Sequence, residues 1–384
     1  MATTQKKMPA AEDASLNEIR RIRAPLLRWY DAHKRDLPWR HSRDPYAIWI
    51  SEAMLQQTRV ETVIPYWDRF LATFPDVQSL ADAELDEIYA VWTGLGYYSR
   101  ARNLKHAAET VVADHGGSLP DTAEGLQQLK GIGRYTAGAV ASIAFGREAA
   151  LVDGNVIRVF ARLLGIREDI AAKSVIDKMW AVADELVTGP RPGDLNQALM
   201  ELGATICTPR NPECRSCPVR RFCEAHAAGD AESLPIKKKK AKQTRMRAVA
   251  AWIEREGKIL AVRRPEKGLM AGLWELPGGP IEFGDQAREQ LAPVLSNAIG
   301  LDIHHVVEVG QVEHLFTHRR LELAIFQCRA SKGDRVRRGD FAAHRWVKPD
   351  ALLDLAHAGP TRKAMALLGV TDETSARAAK RKPS

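Results

Sequence analysis

The sequence lacks any long hydrophobic run, and its first residues contain no apolar segment. Nowhere in the 384 residues is there an uninterrupted apolar stretch of about 18 residues, the length needed to span a bilayer. The opening residues MATTQKKMPAAEDA lack the apolar core that directs secretion. We therefore predict a globular, cytoplasmic protein, and the length is sufficient for two or three domains.

Cysteine is scarce and unevenly distributed. Four of the five cysteines follow the spacing C-x6-C-x2-C-x5-C, whereas Cys328 lies alone in a strand-like segment. A tight cluster in a chain without a secretion signal favours metal or cluster ligation over disulfides. Structural zinc is the main alternative, but zinc ribbons pair two close knuckles, and only the middle spacing is close here. The wider outer spacings favour a [4Fe–4S] cluster. The four candidate ligands are Cys207, Cys214, Cys217 and Cys223.

Acidic residues are fewer than basic ones: 48 Asp and Glu against 56 Lys and Arg give a formal net charge of +8. This balance favours a polyanionic partner. Four arginines lie between the clustered cysteines and would form a basic surface for phosphates. They are Arg210, Arg215, Arg220 and Arg221.

The chain changes character after a basic stretch, LPIKKKKAKQTRMR, which has seven basic residues and no acid. Before it, helical runs alternate with Gly, Pro and Asp, and Asp44 and Pro45 begin one such helix while Gly165 ends another. After it, RAVAAWIE, KILAVRR, VVEVGQVE and LELAIFQC predict strands, the first two joined as a hairpin at REGK. We predict a multi-domain protein with an all-α domain and an α+β domain. The predicted boundaries are 15–233 for the helical domain, 234–245 for the linker, 246–370 for the α+β domain and 371–384 for a disordered basic tail.

The stretch LKGIGRYTAG places Gly131 and Gly133 just before a helix rich in small residues. Such glycines let backbone amides approach a phosphate at a helix N-terminus, as in a helix-hairpin-helix. An ordinary helix-to-helix turn is the alternative.

Two carboxylates occupy positions where an acidic side chain is expected to cost folding free energy. Glu52 is flanked by apolar residues of a helix, where burial would raise its pKa and hold a proton ready. Asp153 lies just before a helix N-terminus, whose dipole favours the ionised form. A pair of carboxylates with different pKa values suits chemistry at a sugar carbon. The carboxyl with the higher pKa can donate a proton, and the ionised one can stabilise positive charge. The alternatives are that Glu52 is an ordinary surface residue and that Asp153 only caps its helix.

The order of several motifs resembles the adenine DNA glycosylase (MutY) family of helix-hairpin-helix glycosylases. The resemblance covers roughly residues 20 to 370, including a Nudix-like C-terminal region. The motifs are LPWR, SEAMLQQT, GLGYYSRARNL, LKGIGRYTAG, VDGNVIRV, NQALMELGATIC and the four-cysteine loop with its [4Fe–4S] cluster. This resemblance implies a protein of base excision repair, nucleoid-associated if bacterial, that acts as a monomer on DNA containing 8-oxoguanine·adenine or guanine·adenine pairs.

The resemblance also implies roles for individual residues. Glu52 would protonate adenine at N7, and Asp153 would stabilise the oxocarbenium ion, with Asn155 beside it at the catalytic site. Tyr135 occupies the position of the Schiff-base lysine of the endonuclease III family, so an efficient β-lyase step is not expected. Gly131 and Gly133 would hold a phosphate.

Other matching positions are assigned to the flipped adenine and to the opened base stack. Positions implied to line the adenine pocket are Arg35, Trp39, Arg40, Leu55 and Glu201. Gln57 and Tyr97 would wedge into the stack, and further DNA contacts are implied at Thr58 and Leu95. Wedging residues offset part of the cost of extruding a base.

The Nudix-like region departs from active hydrolases. Arg288 and Glu289 are present, but the paired glutamates needed for magnesium are missing, so the resemblance implies lesion recognition and not hydrolysis. The recognition loop of the family usually reads Phe-Ser-His, and here it is Phe316, Thr317 and His318. Two alternatives stay open: a thymine-mismatch glycosylase of the same superfamily, and a non-catalytic iron–sulfur DNA-binding protein.

Overall fold

The chain divides into two compact units. The computed structural model describes residues 19–238, 243–316, 318–331, 333–337 and 339–371. One unit extends to Ala83 and includes Arg102–Lys239, and the other combines Glu84–Ala101 with the C-terminal region from Lys240. The boundaries predicted from the sequence did not set Glu84–Ala101 apart from the helical domain.

Parts of some predictions lie outside the described residues. These are residues 15–18 of the helical domain, 239–242 of the linker, the tail from 372, and Thr317 in the recognition loop.

Helices make up the region before the linker. No helix in the described ranges is long and apolar enough to cross a membrane. The helices are α1 (Arg23–His33), α2 (Pro45–Leu55), α3 (Val60–Thr73), α4 (Val77–Asp82), α5 (Leu85–Trp92), α6 (Ser99–His115), α7 (Ala123–Leu126), α8 (Arg134–Ile143), α9 (Gly154–Leu163), α10 (Lys173–Val187), α11 (Pro192–Thr205) and α12 (Glu224–Ala228).

Local sequence signals set several helix ends. The Asp44 carboxylate accepts a hydrogen bond of 3.0 Å from the Tyr46 amide, and Pro45 takes the first helical position of α2. Gly165, just after α9, has a φ of +57°, a conformation that glycine adopts without strain. These two predicted boundaries are confirmed.

A shared apolar core joins α1, α9, α10 and α11, with Leu26, Phe160, Met179 and Leu199 among its buried side chains. Helix α8 approaches the segment before α9 very closely. A Cβ atom at Gly138 would lie 1.8 Å from the Ala150 carbonyl oxygen, so only glycine fits there. This contact fixes the backbone that leads to Asp153.

The C-terminal unit contains one sheet, built from the strands β1 (Thr244–Arg255), β2 (Lys258–Arg263), β3 (Trp274–Glu275), β4 (Gly278–Ile281), β5 (Ile303–Leu315), β6 (Arg319–Ala330) and β7 (Ala343–Val347). The sheet is mixed, with β1 parallel to β6. The main strand order is β3-β2-β1-β6-β5, with β4 paired to β1 and β7 to β2. The REGK hairpin and the four predicted strand segments are confirmed.

Each face of this sheet carries its own apolar core because side chains alternate along the strands. Phe326 and Cys328 of β6 pack on the face covered by helix α13 (Ala287–Ile299). Leu323 and Ile325 pack on the opposite face with helix α14 (Gly359–Leu367). The lone Cys328 is therefore a buried core residue.

Candidate active site

One cavity of the first unit, with a volume of about 220 Å³, collects ten of the residues predicted from the sequence. It lies where the C-terminal half of α2, the start of α8, the N-terminus of α9 and helix α11 meet. Those ten lining residues are Arg35, Trp39, Arg40, Glu52, Leu55, Thr58, Tyr135, Asp153, Asn155 and Glu201.

Glu52 is buried on α2, only 4% exposed, and faces Tyr135 of α8. The Tyr135 hydroxyl donates a hydrogen bond of 2.6 Å to Glu52 Oε2. Burial raises the pKa of Glu52 to about 7, although the bond from Tyr135 opposes the rise. At neutral pH a large fraction of Glu52 therefore carries the proton that a general acid needs.

Asp153 caps the N-terminus of α9. Its Oδ1 accepts a hydrogen bond of 2.7 Å from the Val156 amide, and its Oδ2 accepts one of 2.9 Å from Asn155 Nδ2. The helix N-terminus was expected to favour the ionised form, but burial outweighs it and raises the pKa of Asp153. The sequence could not show this, because burial depends on what packs over the cap.

Asn155 is in turn held by Arg158 on the next turn of α9. Arg158 donates to Asn155 Oδ1 over 2.8 Å and to the carbonyl oxygens of Gly203 and Cys207, each over 2.7 Å. A continuous set of hydrogen bonds thus runs from Asp153 to the first cysteine of the loop.

Glu201 is fully buried on α11 and bonded to two arginines. Arg35 donates to it through its backbone amide, Nε and NH2, and Arg40 donates through NH2 over 2.7 Å. Burial alone would raise the pKa of Glu201, but these bonds outweigh burial and hold it at about 2. All four acceptor positions of the carboxylate are in use, so in this structure Glu201 orients Arg35 and Arg40.

Sequence reasoning missed several side chains of this cavity. Met200 Sδ lies 3.5 Å from the Tyr135 hydroxyl oxygen. Helical spacing from Glu52 could have indicated Ile48, one turn earlier on α2. The other lining residues carried no motif signal; together the missed residues are Leu37, Ile48, Ser51, Val60, Ile143, Gln197, Met200 and Ala204.

The residues assigned to the base stack do not line this cavity. Gln57 follows α2, is exposed and has a φ of +59°. Tyr97, in the second unit, is 49% exposed with a φ of +49°, whereas Leu95 is buried at 5%. A positive φ at residues other than glycine is uncommon and is often found at functional sites.

The four clustered cysteines line one small cavity of the first unit together with the buried Arg162. Arg162 NH1 lies 3.2 Å from Cys207 Sγ. Within the described residues, no group of three or more His, Cys, Asp or Glu side chains has metal-binding geometry. The predicted arginines of the loop are all exposed at Arg210, Arg215, Arg220 and Arg221.

In the second unit, Phe316 and His318 connect β5 to β6. The Phe316 ring meets the His314 ring edge-on at 4.6 Å and packs partly on the sheet core, whereas His318 is exposed. The Phe316 amide donates to the Arg319 carbonyl oxygen over 2.7 Å, which closes the turn.

Two family models match the chain, one before the linker and one after it. Residues 50–185 match the HhH-GPD superfamily of base excision DNA repair proteins, and residues 248–367 match the NUDIX domain. The helical region is similar to a solved thermostable thymine-DNA glycosylase, at 33% identity and a TM-score of 0.52, covering 56% of this chain and all of that one. The fold and the site therefore define a DNA glycosylase of base excision repair that carries a Nudix domain.

Several relatives match across most of the chain. The adenine DNA glycosylase of Homo sapiens is 40% identical over 365 residues, which cover 80% of this chain and 67% of the relative. That of Mus musculus is 40% identical, covering 80% and 70% respectively. The chain belongs to the adenine DNA glycosylase family. The thymine-mismatch and non-catalytic alternatives are not favoured, because these two relatives, whose matches cover 80% of this chain, are adenine DNA glycosylases.

Proposed function

We propose that this enzyme hydrolyses the N-glycosidic bond of adenine that is paired with 8-oxoguanine or guanine in duplex DNA. The observation that carries the proposal is the buried Glu52, bonded to Tyr135 and with a pKa of about 7, in the same cavity as Asp153.

Glu52 supplies the proton that makes adenine a leaving group. Protonation at N7 spares the purine from leaving as an anion, so the bond from the sugar C1′ to N9 breaks with its electron pair passing to the base. Asp153 stabilises the positive charge that develops on the sugar, and water then adds to C1′. Asn155 positions Asp153 through its hydrogen bond to Oδ2.

The remaining cavity walls suit a flipped base. Trp39 and Leu55 offer apolar surface to the faces of a purine ring, and flipping brings the base out of the stack to reach them. Arg35 and Arg40, oriented by Glu201, place guanidinium donors at the same cavity. These donors suit the ring nitrogens of adenine, which accept hydrogen bonds.

The reaction ends at the abasic site. Tyr135 offers no amine for a Schiff base, and burial raises its pKa well above the usual value, so its hydroxyl stays protonated as a donor to Glu52. The enzyme is therefore monofunctional.

We propose a [4Fe–4S] cluster for the four-cysteine loop, because all four cysteines line one cavity. Cys207, Cys214, Cys217 and Cys223 would supply its thiolates, and the buried Arg162 would offset part of its negative charge. When bound, the cluster would hold the loop closed through its four cysteines. The loop it closes presents its exposed arginines to phosphates of the DNA.

The second unit recognises the lesion. Phe316, Thr317 and His318 combine a ring with polar groups that can reach the N7–H and O8 edge by which 8-oxoguanine differs from guanine. Gln57 and Tyr97 enter the base stack when adenine leaves it.

The chain acts as a cytoplasmic monomer.

Single-turnover excision tests this function on three duplexes that contain 8-oxoguanine·adenine, guanine·adenine or guanine·thymine. We expect adenine release from the first two, faster opposite 8-oxoguanine, with no borohydride-trapped enzyme–DNA adduct. Thymine release, or duplex binding with no base release, would contradict the proposal.

A further inference from the structure

The glycine hairpin before α8 is held in place from the side of α6. Gly131 has a φ of +84°, and a Cβ atom there would lie 2.5 Å from Asn103 Cβ. Gly133 is the N-cap residue of α8 and is extended, with φ of −87° and ψ of 176°. The backbone amides that would face a phosphate therefore depend on how this short loop is supported.

Arg134, the first residue of α8, supports the loop from the side of α10. Its guanidinium carbon lies 3.8 Å above the ring centroid of Trp180, and its NH2 lies 3.0 Å from Asp184 Oδ2. Trp180 is itself packed against the core of the first unit. One guanidinium thus joins the start of α8 to two positions of α10.

An arginine at this place has two possible uses, as a phosphate ligand or as a support of the loop, and the contacts of Arg134 favour the second. A phosphate ligand needs a guanidinium that is free to turn towards DNA, whereas Arg134 is stacked on one side chain and ion-paired with another. The pair with Asp184 is neutral as a whole, so it offers no net charge to displace counterions from DNA. Stacking on an indole ring adds to the ion pair and holds the guanidinium plane in one orientation.

We propose that Arg134 is a positioning residue of the hairpin and not a phosphate ligand. Through Trp180 and Asp184 it fixes the amides at the start of α8 in the orientation that receives a phosphate. The inference rests on the proposed binding of duplex DNA.

The salt dependence of binding separates the two uses. The full chain would be titrated with an 8-oxoguanine·adenine duplex over a series of KCl concentrations, alongside Arg134→Ala, Arg134→Lys, Trp180→Leu and the Arg134→Ala, Asp184→Asn double variant, which removes both charges of the pair. We expect each variant to bind about three- to ten-fold more weakly, from loss of the stacked contact. The slope of log affinity against log salt should stay unchanged for the variants that conserve the net charge of the pair, which are Arg134→Lys, Trp180→Leu and the Arg134→Ala, Asp184→Asn double variant. The exposed Lys130 is the matched control in the same hairpin, and Lys130→Ala should reduce that slope by about 0.9 if it neutralises one phosphate.

Two further comparisons sharpen the result. Lysine keeps the charge but has no planar group to stack on the indole ring while it donates hydrogen bonds to a carboxylate. The affinity of Arg134→Lys should therefore be reduced like that of Arg134→Ala. The Arg134→Ala, Trp180→Leu double variant should be no weaker than either single variant, because both remove the same contact. If Arg134→Ala unfolds, Arg134→Lys and Trp180→Leu carry the test.

The inference is wrong if the charge-conserving Arg134→Ala, Asp184→Asn double variant lowers the slope by about 0.9, if lysine restores the affinity, or if all variants bind like the parent. If the parent chain does not bind the duplex at all, the proposed function fails instead.

Discussion

Tyr135 and Glu52, 83 positions apart in the chain, are joined by a hydrogen bond of 2.6 Å from the tyrosine hydroxyl to the carboxylate. This bond brings the helix after the glycine hairpin into contact with the proton donor of the cavity. It opposes the effect of burial on the pKa of Glu52, which burial raises to about 7. The pair therefore sets the pH range in which Glu52 can give its proton away.

Replacing Glu52 by Gln should abolish excision while duplex binding survives. The amide keeps the shape of the side chain but has no proton to transfer, so the single-turnover rate should fall by about 10²- to 10⁴-fold or more. In the parent chain the rate should decline as pH rises through about 7, because the acid becomes ionised. Near-normal excision by Glu52→Gln would contradict the assignment.

The same variant should change how stability depends on pH. The folded-state pKa of Glu52 is about 7 against 4.5 for the free group, so its favourable contribution is complete below about pH 4.5 and is lost as pH rises through 7. Glutamine does not ionise, so the Glu52→Gln variant does not lose stability in this way. Denaturant unfolding should show the advantage of Glu52→Gln growing by about 2–3 kcal/mol between about pH 5 and 8; a constant difference would mean that the buried carboxyl does not titrate there.

Tyr135→Phe should move the pH profile of excision upwards. Without the hydroxyl, Glu52 loses a bond that favours its ionised form, and its pKa should rise by roughly one to two units, the value of a hydrogen bond to a charged group. The measurement is single-turnover rate against pH for both proteins. An unchanged midpoint would show that the bond does not tune Glu52.

Asp153→Asn separates catalysis from helix capping. Asparagine is as good an N-cap as aspartate, so the free energy of unfolding should change by less than about 1 kcal/mol. Excision should fall by about 10²- to 10³-fold, because the charge that stabilises the sugar cation is gone. Loss of stability with normal excision would mean that Asp153 is only a cap.

Purified protein should be yellow-brown, with broad absorption at roughly 400 nm from a thiolate-ligated iron–sulfur cluster. Cys217→Ser should remove this absorption, because Cys217 lies at the cavity shared by all four cysteines. Colourless, fully active protein with one zinc ion per chain would favour the zinc alternative.

The Thr317→Ala, His318→Ala double variant tests lesion recognition. Each lost base contact should cost about 1–3 kcal/mol of discrimination, so excision opposite 8-oxoguanine should slow more than excision opposite guanine. Equal slowing on both duplexes would mean that the loop serves docking or stability.

Short-range signals were sufficient for much of the fold. The strands and their hairpin, the cap at Asp44 and the glycine end of α9 follow from residues within a few positions of each other, where backbone geometry and side-chain alternation act directly. The motif order also pointed to ten residues that the structure places at one cavity.

Only the tertiary structure decided the electrostatics of the site and the membership of the units. The position of Asp153 at a helix N-terminus suggests a lowered pKa, but its pKa is raised. The cause is burial, which depends on every segment that packs around the side chain. The four bonds to Glu201 come from residues more than 160 positions away, and no local pattern records them. Glu84–Ala101 packs with the C-terminal unit for the same reason: hydrophobic contacts depend on which surfaces meet in space, and sequence separation does not reveal that.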